Sequence, residues 1–179
     1  KIIFSCGEYA PNLFELLGEV TGQINIALQT FHHSFYDNYI PPWSLSLFIN
    51  LTEEELSVVD CVEHRAIVKK ILKQFQTDTL DKCHLFQYGK IHGDINEQNI
   101  IVNNSADTIS AIIDYEDCHC SYYVFELAIT ILYAILLNEH KPDYFCYGEQ
   151  VFKGYTKYIQ LNNDEIYALP ICIKLHYSH

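Results

Sequence analysis

Two short apolar runs, at residues 100–102 and 109–113, limit most strongly how this chain can fold. Both are rich in isoleucine, and turn-forming residues 103–107 separate them, so together they predict a β-hairpin. A polar loop precedes the first run and an acid, Asp114, directly follows the second. Because a hairpin brings its outer ends together, we expect Asp114 to lie close to the polar loop.

The remaining sequence predicts helices. Apolar residues at three- and four-residue steps indicate amphipathic helices over residues 13–31 and 62–75, and the nearly continuous apolar run 123–137 predicts a buried helix. Further helices are predicted over residues 144–159 and 164–176, and a loop over residues 87–90. Glu126 lies inside the buried run and needs polar partners there, so we expect it to anchor a loop. The fold class is therefore α+β, mostly helical with one small β-hairpin.

Net charge and cysteine content limit the classes of binding partner and the cellular compartment that this chain is expected to have. The 179 residues carry a formal net charge of −12, which argues against nucleic acid or an anionic membrane as the main partner. No apolar run reaches the ~18 residues of a membrane span. The seven cysteines are scattered without a C-x-x-C pair, and even Cys118 and Cys120 lack the second pair that a zinc site needs. This usage favours reduced thiols and a cytoplasmic protein.

The polar loop carries a set of residues typical of phosphoryl transfer. Asp94 and Asn99 are five residues apart, and Asp114 follows the second strand. In kinases with this order of residues, the first Asp accepts or orients the proton of the acceptor hydroxyl. The Asn and the second Asp hold the metal ions that bridge the phosphates. Carboxylate and amide oxygens suit Mg²⁺, and Mn²⁺ is the alternative. His92 fits the same pattern, and we interpret it as bracing the loop rather than carrying a proton.

The loop also resembles a known family. Residues 92–99, HGDINEQN, match the H-G-D-x-x-x-x-N loop of the aminoglycoside phosphotransferase-like kinases, and residues 113–115 match their I-D-[FY] motif. Within that family, residues 122–129, YYVFELAI, are more specifically similar to the hydroxylysine kinases. The resemblance covers about residues 11–137. It implies the C-terminal lobe of a protein-kinase-like fold.

The resemblance implies roles for single residues. Asp94, His92 and Asn96 would be catalytic, and Asn99 and Asp114 would bind the metal and, through it, the nucleotide. Asn96 would contact phosphate or substrate, with an Asx-turn as the equal alternative. The substrate would be 5-hydroxylysine and the phosphate donor GTP or ATP. Asp117 matches the family and is expected to face the cationic substrate, the alternative being a turn-capping residue.

Other features depart from the family. Glu116 and Ser121 stand where the family has glycines, and Glu116 adds a negative charge beside the expected metal site. None of the seven glycines forms a G-x-G pair, so we find no sign of the N-terminal β lobe with its phosphate-covering loop. We expect residues 1–179 to be a single kinase-like C-terminal lobe, truncated at both ends and inactive alone.

Two alternatives remain open from the sequence. One is a non-catalytic, pseudokinase-like binding lobe or gene fragment, which Glu116 favours. The other is a sibling kinase acting on choline, homoserine or an aminoglycoside.

Overall fold

The computed structural model describes residues 2–3 and 8–177, so Cys6 lies outside the described part. This part is mostly helical, as predicted. Its helices are α1 (Leu13–Leu28), α2 (Ser34–Asn38), α3 (Glu53–Leu56), α4 (Val62–Asp78), α5 (Tyr123–Leu136), α6 (Phe145–Tyr155) and α7 (Asn163–Tyr177). The predicted helix over residues 144–159 ends early, at Tyr155. Ile159 is nevertheless buried, so the apolar pattern continues past the helix.

The predicted hairpin is present, and a second small sheet accompanies it. Strands β2 (Ile100–Val102) and β3 (Ile109–Ile112) pair antiparallel, with Ile100 opposite Ile112 and an irregularity after Ile101. The prediction of a loop at residues 87–90 is wrong. Tyr88–Ile91 forms strand β1, which pairs antiparallel with strand β4 (His119–Tyr122).

The pairing of β1 with β4 explains why local sequence did not reveal β1. Gly89 lies opposite Ser121, a partner far along the chain, and the Tyr123 ring packs where a Gly89 side chain would stand. Strand β1 therefore depends on tertiary contacts rather than on an alternation of apolar and polar residues in its own sequence. Because β1 leads into β2 and β3 leads into β4, the two connecting loops cross side by side from one sheet to the other.

Helix α5 forms the centre of the core. Its residues Val124, Leu127 and Ala128 are fully buried, and it packs against α6 and α7. Helix α1 crosses α6 closely, where Gly18 faces the backbone of Val151. Among the described residues, every helix falls short of the length and apolar character needed to cross a membrane.

The helix predicted over residues 62–75 is present as α4, but part of its apolar stripe is exposed. Phe75 is buried, but Val62 and Ile67 are 70% and 55% exposed. Ile67 lines an open, mostly apolar groove of about 1010 Å³ between α4, α5 and α7. Helical periodicity identified the apolar face correctly, but it could not show that the described residues leave part of this face uncovered.

Candidate active site

The polar loop before β2 (residues 92–99) and the loop after β3 (residues 113–118) meet at the open end of the hairpin. The backbone N–H of Ile113 donates to the carbonyl oxygen of Asn99 at 3.0 Å, one step beyond the β2–β3 pairing. Asp114 follows at once in a left-handed conformation, φ 67°, which turns the chain into the short 3-10 turn Tyr115–Asp117. The structure thus places Asn99 and Asp114 together, as the hairpin predicted.

His92 is fully buried and connects the two loops through hydrogen bonds. Its Nε2 lies 3.0 Å from the carbonyl oxygen of Ile113, and its Nδ1 accepts a hydrogen bond from the Asp94 N–H at 3.2 Å. A carbonyl can only accept, so Nε2 carries the proton in a neutral ring. Both nitrogens are occupied by backbone groups, which is the geometry of a brace.

Glu126 holds the start of the same loop. Its carboxylate accepts hydrogen bonds from the backbone N–H groups of His92 and Gly93, and from the Asn25 amide at 3.3 Å. Burial raises the pKa of this fully enclosed carboxyl, while the hydrogen bonds oppose the rise. The prediction that Glu126 anchors a loop is confirmed.

The Asp94 carboxylate is fixed by two amides. The amide nitrogen of Asn96 donates to Oδ1 at 2.7 Å, and that of Asn99 donates to Oδ2 at 2.8 Å. Burial raises the pKa of Asp94, and the nearby charges of Asp117 and Asp114 add to this, whereas the two amide bonds lower it. The carboxylate is oriented, and it holds its proton more tightly than an ordinary Asp.

Asn96 also builds the loop itself. Its Oδ1 accepts the backbone N–H of Gln98 at 2.8 Å, which is an Asx-turn. The Asx-turn alternative is therefore present in the structure, and the same side chain uses its nitrogen to orient Asp94.

Gly93 lets the two loops touch. Its φ of +87° lies in the left-handed region, and a Cβ there would stand 2.6 Å from the carbonyl oxygen of Asp117. That same carbonyl accepts a hydrogen bond from Nδ1 of His119 at 2.7 Å. The loop before β2 therefore rests directly on the turn that carries Asp117.

A cavity of about 230 Å³ opens beside Asp94. Asp117 lines it from the facing turn, and Trp43 and Tyr133 supply aromatic walls. Asp117 Oδ1 is buried and, among the described residues, has no hydrogen-bond partner. This oxygen caps no turn, so the structure does not show the turn-capping alternative at that atom.

The comparison with protein families decides the assignment. The sequence profile of the phosphotransferase enzyme family (APH) matches residues 8–149, which is most of the chain. The chain belongs to this family. The matched part includes both polar loops, the hairpin and α5.

Curated proteins similar to this chain include hydroxylysine kinases. The chain is 32% identical over 178 residues to the one from Danio rerio, a match that covers 96% of this chain and 47% of the relative. It is 29% identical over 178 residues to the one from Mus musculus, covering 93% of this chain and 46% of the relative. The chain thus spans about half the length of these relatives.

Solved structures of small-molecule kinases share the fold. The microcompartment-associated aminopropanol kinase superposes with a TM-score of 0.70 at 17% identity, covering 93% of this chain and 52% of that one. The amicoumacin kinase hAmiN, in complex with AMP-PNP, Ca²⁺ and Ami, gives a TM-score of 0.64 at 16% identity, covering 93% and 49%. The predicted kinase-like fold is confirmed.

The residues at the hairpin end fit a divalent cation. The Asn99 amide uses its nitrogen on Asp94, which leaves its oxygen as a ligand atom, and the neighbouring Asp114 carboxylate is exposed. Within residues 2–3 and 8–177, no cluster of three or more His, Cys, Asp or Glu side chains could hold a metal. Two protein oxygens are what Mg²⁺ commonly takes when phosphates and water complete its shell.

Sequence reasoning missed three residues at this site. Trp43, the only Trp of the chain, follows Pro41-Pro42, and an aromatic residue after such a break could have been noticed. Tyr133 looked like one more core residue of a buried helix, and His119 showed no motif at all. Only the packing of α5 and of residues 41–45 against the catalytic loop brings them to the site.

Proposed function

We propose that this chain is the catalytic-loop lobe of a small-molecule kinase that transfers a nucleotide γ-phosphate to the hydroxyl of an amino-acid-like amine. The observation that carries the proposal is the Asp94 carboxylate, oriented by two amides beside the Asn99–Asp114 pair. An acceptor for a hydroxyl proton thus adjoins two hard oxygen ligands. Family membership supports the same reaction class.

Each residue has a role in this proposal. Asp94 accepts the proton of the attacking hydroxyl while the hydroxyl oxygen forms a bond to the γ-phosphorus. The bond from the γ-phosphorus to the bridging oxygen breaks, and the nucleoside diphosphate leaves with the electron pair. Asn99 and Asp114 hold Mg²⁺ or Mn²⁺, which when bound neutralises phosphate charge. His92 fixes the position of Asp94, Asn96 orients its carboxylate, and both are catalytic only through Asp94.

The finer assignment follows the named relatives. Hydroxylysine kinases match nearly the whole chain, so we take 5-hydroxylysine as the acceptor, with Asp117 facing its amine. GTP is the expected donor, with ATP as the alternative. We also propose that residues 1–179 form one kinase lobe in the cytoplasm, where the free thiols of the described cysteines would persist. Alone, this lobe should be inactive, because it lacks a glycine-rich phosphate loop.

One observation favours a second candidate, a binding lobe without catalysis. Glu116 is exposed two residues after Asp114, so its negative charge adjoins the site where nucleotide phosphates would lie. Repulsion there would weaken nucleotide binding.

The two candidates are separated by a phosphoryl-transfer assay on the intact protein. Labelled GTP or ATP, Mg²⁺ and 5-hydroxylysine should yield phosphohydroxylysine with the wild type, and Asp94→Asn should reduce the rate by about 10²–10⁴-fold. If the wild type binds nucleotide but transfers no phosphate to hydroxylysine or to the sibling acceptors, the kinase proposal is wrong.

A further inference from the structure

The cavity beside Asp94 is negatively charged and small. Asp94 and Asp117 both line it, and its described lining contains no Lys or Arg, although His176 of α7 also faces it. Its volume of about 230 Å³ lies below the roughly 300–1,000 Å³ typical of drug-sized ligands. These features favour a small cation, or the cationic end of a larger molecule.

Asp117, one of the residues that line this cavity, carries an unsatisfied acceptor. Its Oδ1 is buried without a hydrogen-bond partner among the described residues. An unpaired buried carboxylate oxygen is costly, and the cost is removed when a donor, best of all a charged one, binds it. Asp117 is therefore a position at which the structure favours an N–H donor.

Aromatic rings complete the surroundings of that position. Trp43 and Tyr133 line the same cavity as Asp117. The faces of Trp and Tyr attract an ammonium group, and Trp attracts it most strongly. A carboxylate together with two aromatic rings is a combination that recognises an alkylammonium ion.

A buried histidine links the two sides of the cavity. The His119 ring is almost fully buried, with Nδ1 2.7 Å from the Asp117 carbonyl oxygen and Nε2 3.4 Å from Ser44 Oγ, next to Trp43. Because the carbonyl can only accept, Nδ1 carries the proton and Nε2 accepts from Ser44. His119 thus connects the turn of Asp117 to the segment of Trp43.

We propose that this cavity is the subsite for the ammonium group of a vicinal amino alcohol, with the ammonium at Asp117 and the neighbouring hydroxyl at Asp94. The proposal rests on the proposed function, because it assumes that Asp94 receives the reacting hydroxyl. In 5-hydroxylysine the hydroxyl carbon adjoins the carbon that bears the side-chain amine. Two neighbouring carboxylates match that pair of groups, so the enzyme would recognise this end rather than the α-amino acid end.

Binding of two small molecules to the 179-residue chain tests the subsite without any catalysis. The probes are 1-amino-2-propanol and 1,2-propanediol, which differ only by an ammonium in place of a hydroxyl. We expect NMR titration to show at least 10-fold tighter binding of the amine by the wild type. Asp117→Asn should abolish this preference, whereas Glu116→Gln, which removes the same charge one residue away, should keep it.

Further variants separate a lost subsite from a lost fold. Trp43→Leu changes a half-exposed side chain and should weaken amine binding about 2- to 5-fold while leaving the diol unaffected. Equal affinity of the wild type for amine and diol, or a preference that survives in a folded Asp117→Asn protein, would overturn the subsite. Selective amine binding by the 179-residue chain, together with no phosphoryl transfer by the intact protein, would instead support the subsite and contradict the kinase proposal.

Discussion

Glu126 on α5 accepts a hydrogen bond from the backbone N–H of Gly93 at 3.2 Å, so a buried helix carboxylate holds the loop of residues 92–99 at its start. Replacing Glu126 by Ala would leave two N–H groups unpaired, that of the buried His92 and that of the half-buried Gly93. Each unsatisfied donor costs about 1–3 kcal/mol, so we expect a large fall in the free energy of unfolding. Urea denaturation measures it.

The matched control is Glu139→Ala, an exposed acid just past the end of α5. It should change the free energy of unfolding by less than about 0.5 kcal/mol. Equal stability of the Glu126→Ala and Glu139→Ala proteins would contradict the anchoring role.

The carboxylates of Asp94 and Asp114 should respond differently to the same substitution. In the intact protein, Asp94→Asn should lower kcat by about 10²–10⁴-fold with little change in KM for nucleotide, because it removes the proposed proton acceptor. Asp114→Asn removes a proposed metal ligand, so higher Mg²⁺ should partly restore its rate. Steady-state kinetics at several Mg²⁺ concentrations measure both effects.

A simpler role for Asp94 predicts another pattern. If it merely caps a turn, its loss costs about 1 kcal/mol of stability and leaves the rate per folded molecule unchanged. Thermal melts of both variants, run beside the kinetics, distinguish the two roles; a near-normal kcat in a destabilised Asp94→Asn protein would refute the catalytic assignment.

The pH profile should show the environment of Asp94. Burial, assisted by the charges of Asp117 and Asp114, raises the pKa of Asp94. The apparent pKa of the acid limb of kcat/KM should therefore be higher than the ordinary Asp value of about 3.9. Activity should be lost as the pH drops through that raised pKa, since Asp94 must be ionised to accept a proton. Asp117→Asn removes one repelling charge and should move the limb to lower pH.

Burial is the largest cause of the raised pKa of Asp94. The apparent pKa of the acid limb in Asp117→Asn should therefore still be higher than the pKa of an exposed Asp. Profiles of kcat/KM measured on the intact protein with saturating nucleotide give the apparent pKa of each limb. A limb that moves to higher pH in the variant would show that Asp117 does not act on Asp94 as described.

Gly93→Ala should damage both loops at once. The substitution forces an L side chain to φ +87° and drives its Cβ to 2.6 Å from the Asp117 carbonyl oxygen. We expect a loss of about 1–3 kcal/mol from the backbone strain alone, together with reduced activity. Denaturation midpoints and kcat measure these effects, and a Gly93→Ala protein of wild-type stability would mean that the loops do not touch as shown.

Ser110→Ala provides the control for this variant, because residue 110 is an exposed position of β3 in the same hairpin. It should leave both stability and activity close to wild type.

The sequence by itself determined the elements whose signals are local. Ile100, Ile101 and Val102 followed by turn residues specified a hairpin, and the placement of Asn99 beside Asp114 followed because hairpin geometry joins outer ends. The long helices followed from apolar spacing. Glu126 could be recognised as an anchor from the energetic cost of an unpaired buried carboxylate alone.

Only the tertiary structure decided features whose cause lies far away in the chain. Strand β1 exists because Gly89 pairs with Ser121, and Val62 and Ile67 of α4 are exposed because the described residues cover only part of that helix's apolar face. Likewise, Trp43, Asp117 and Tyr133 come from three separate segments and share a cavity through the packing of those segments. Local sequence cannot encode such proximity, because it depends on how completed elements pack together.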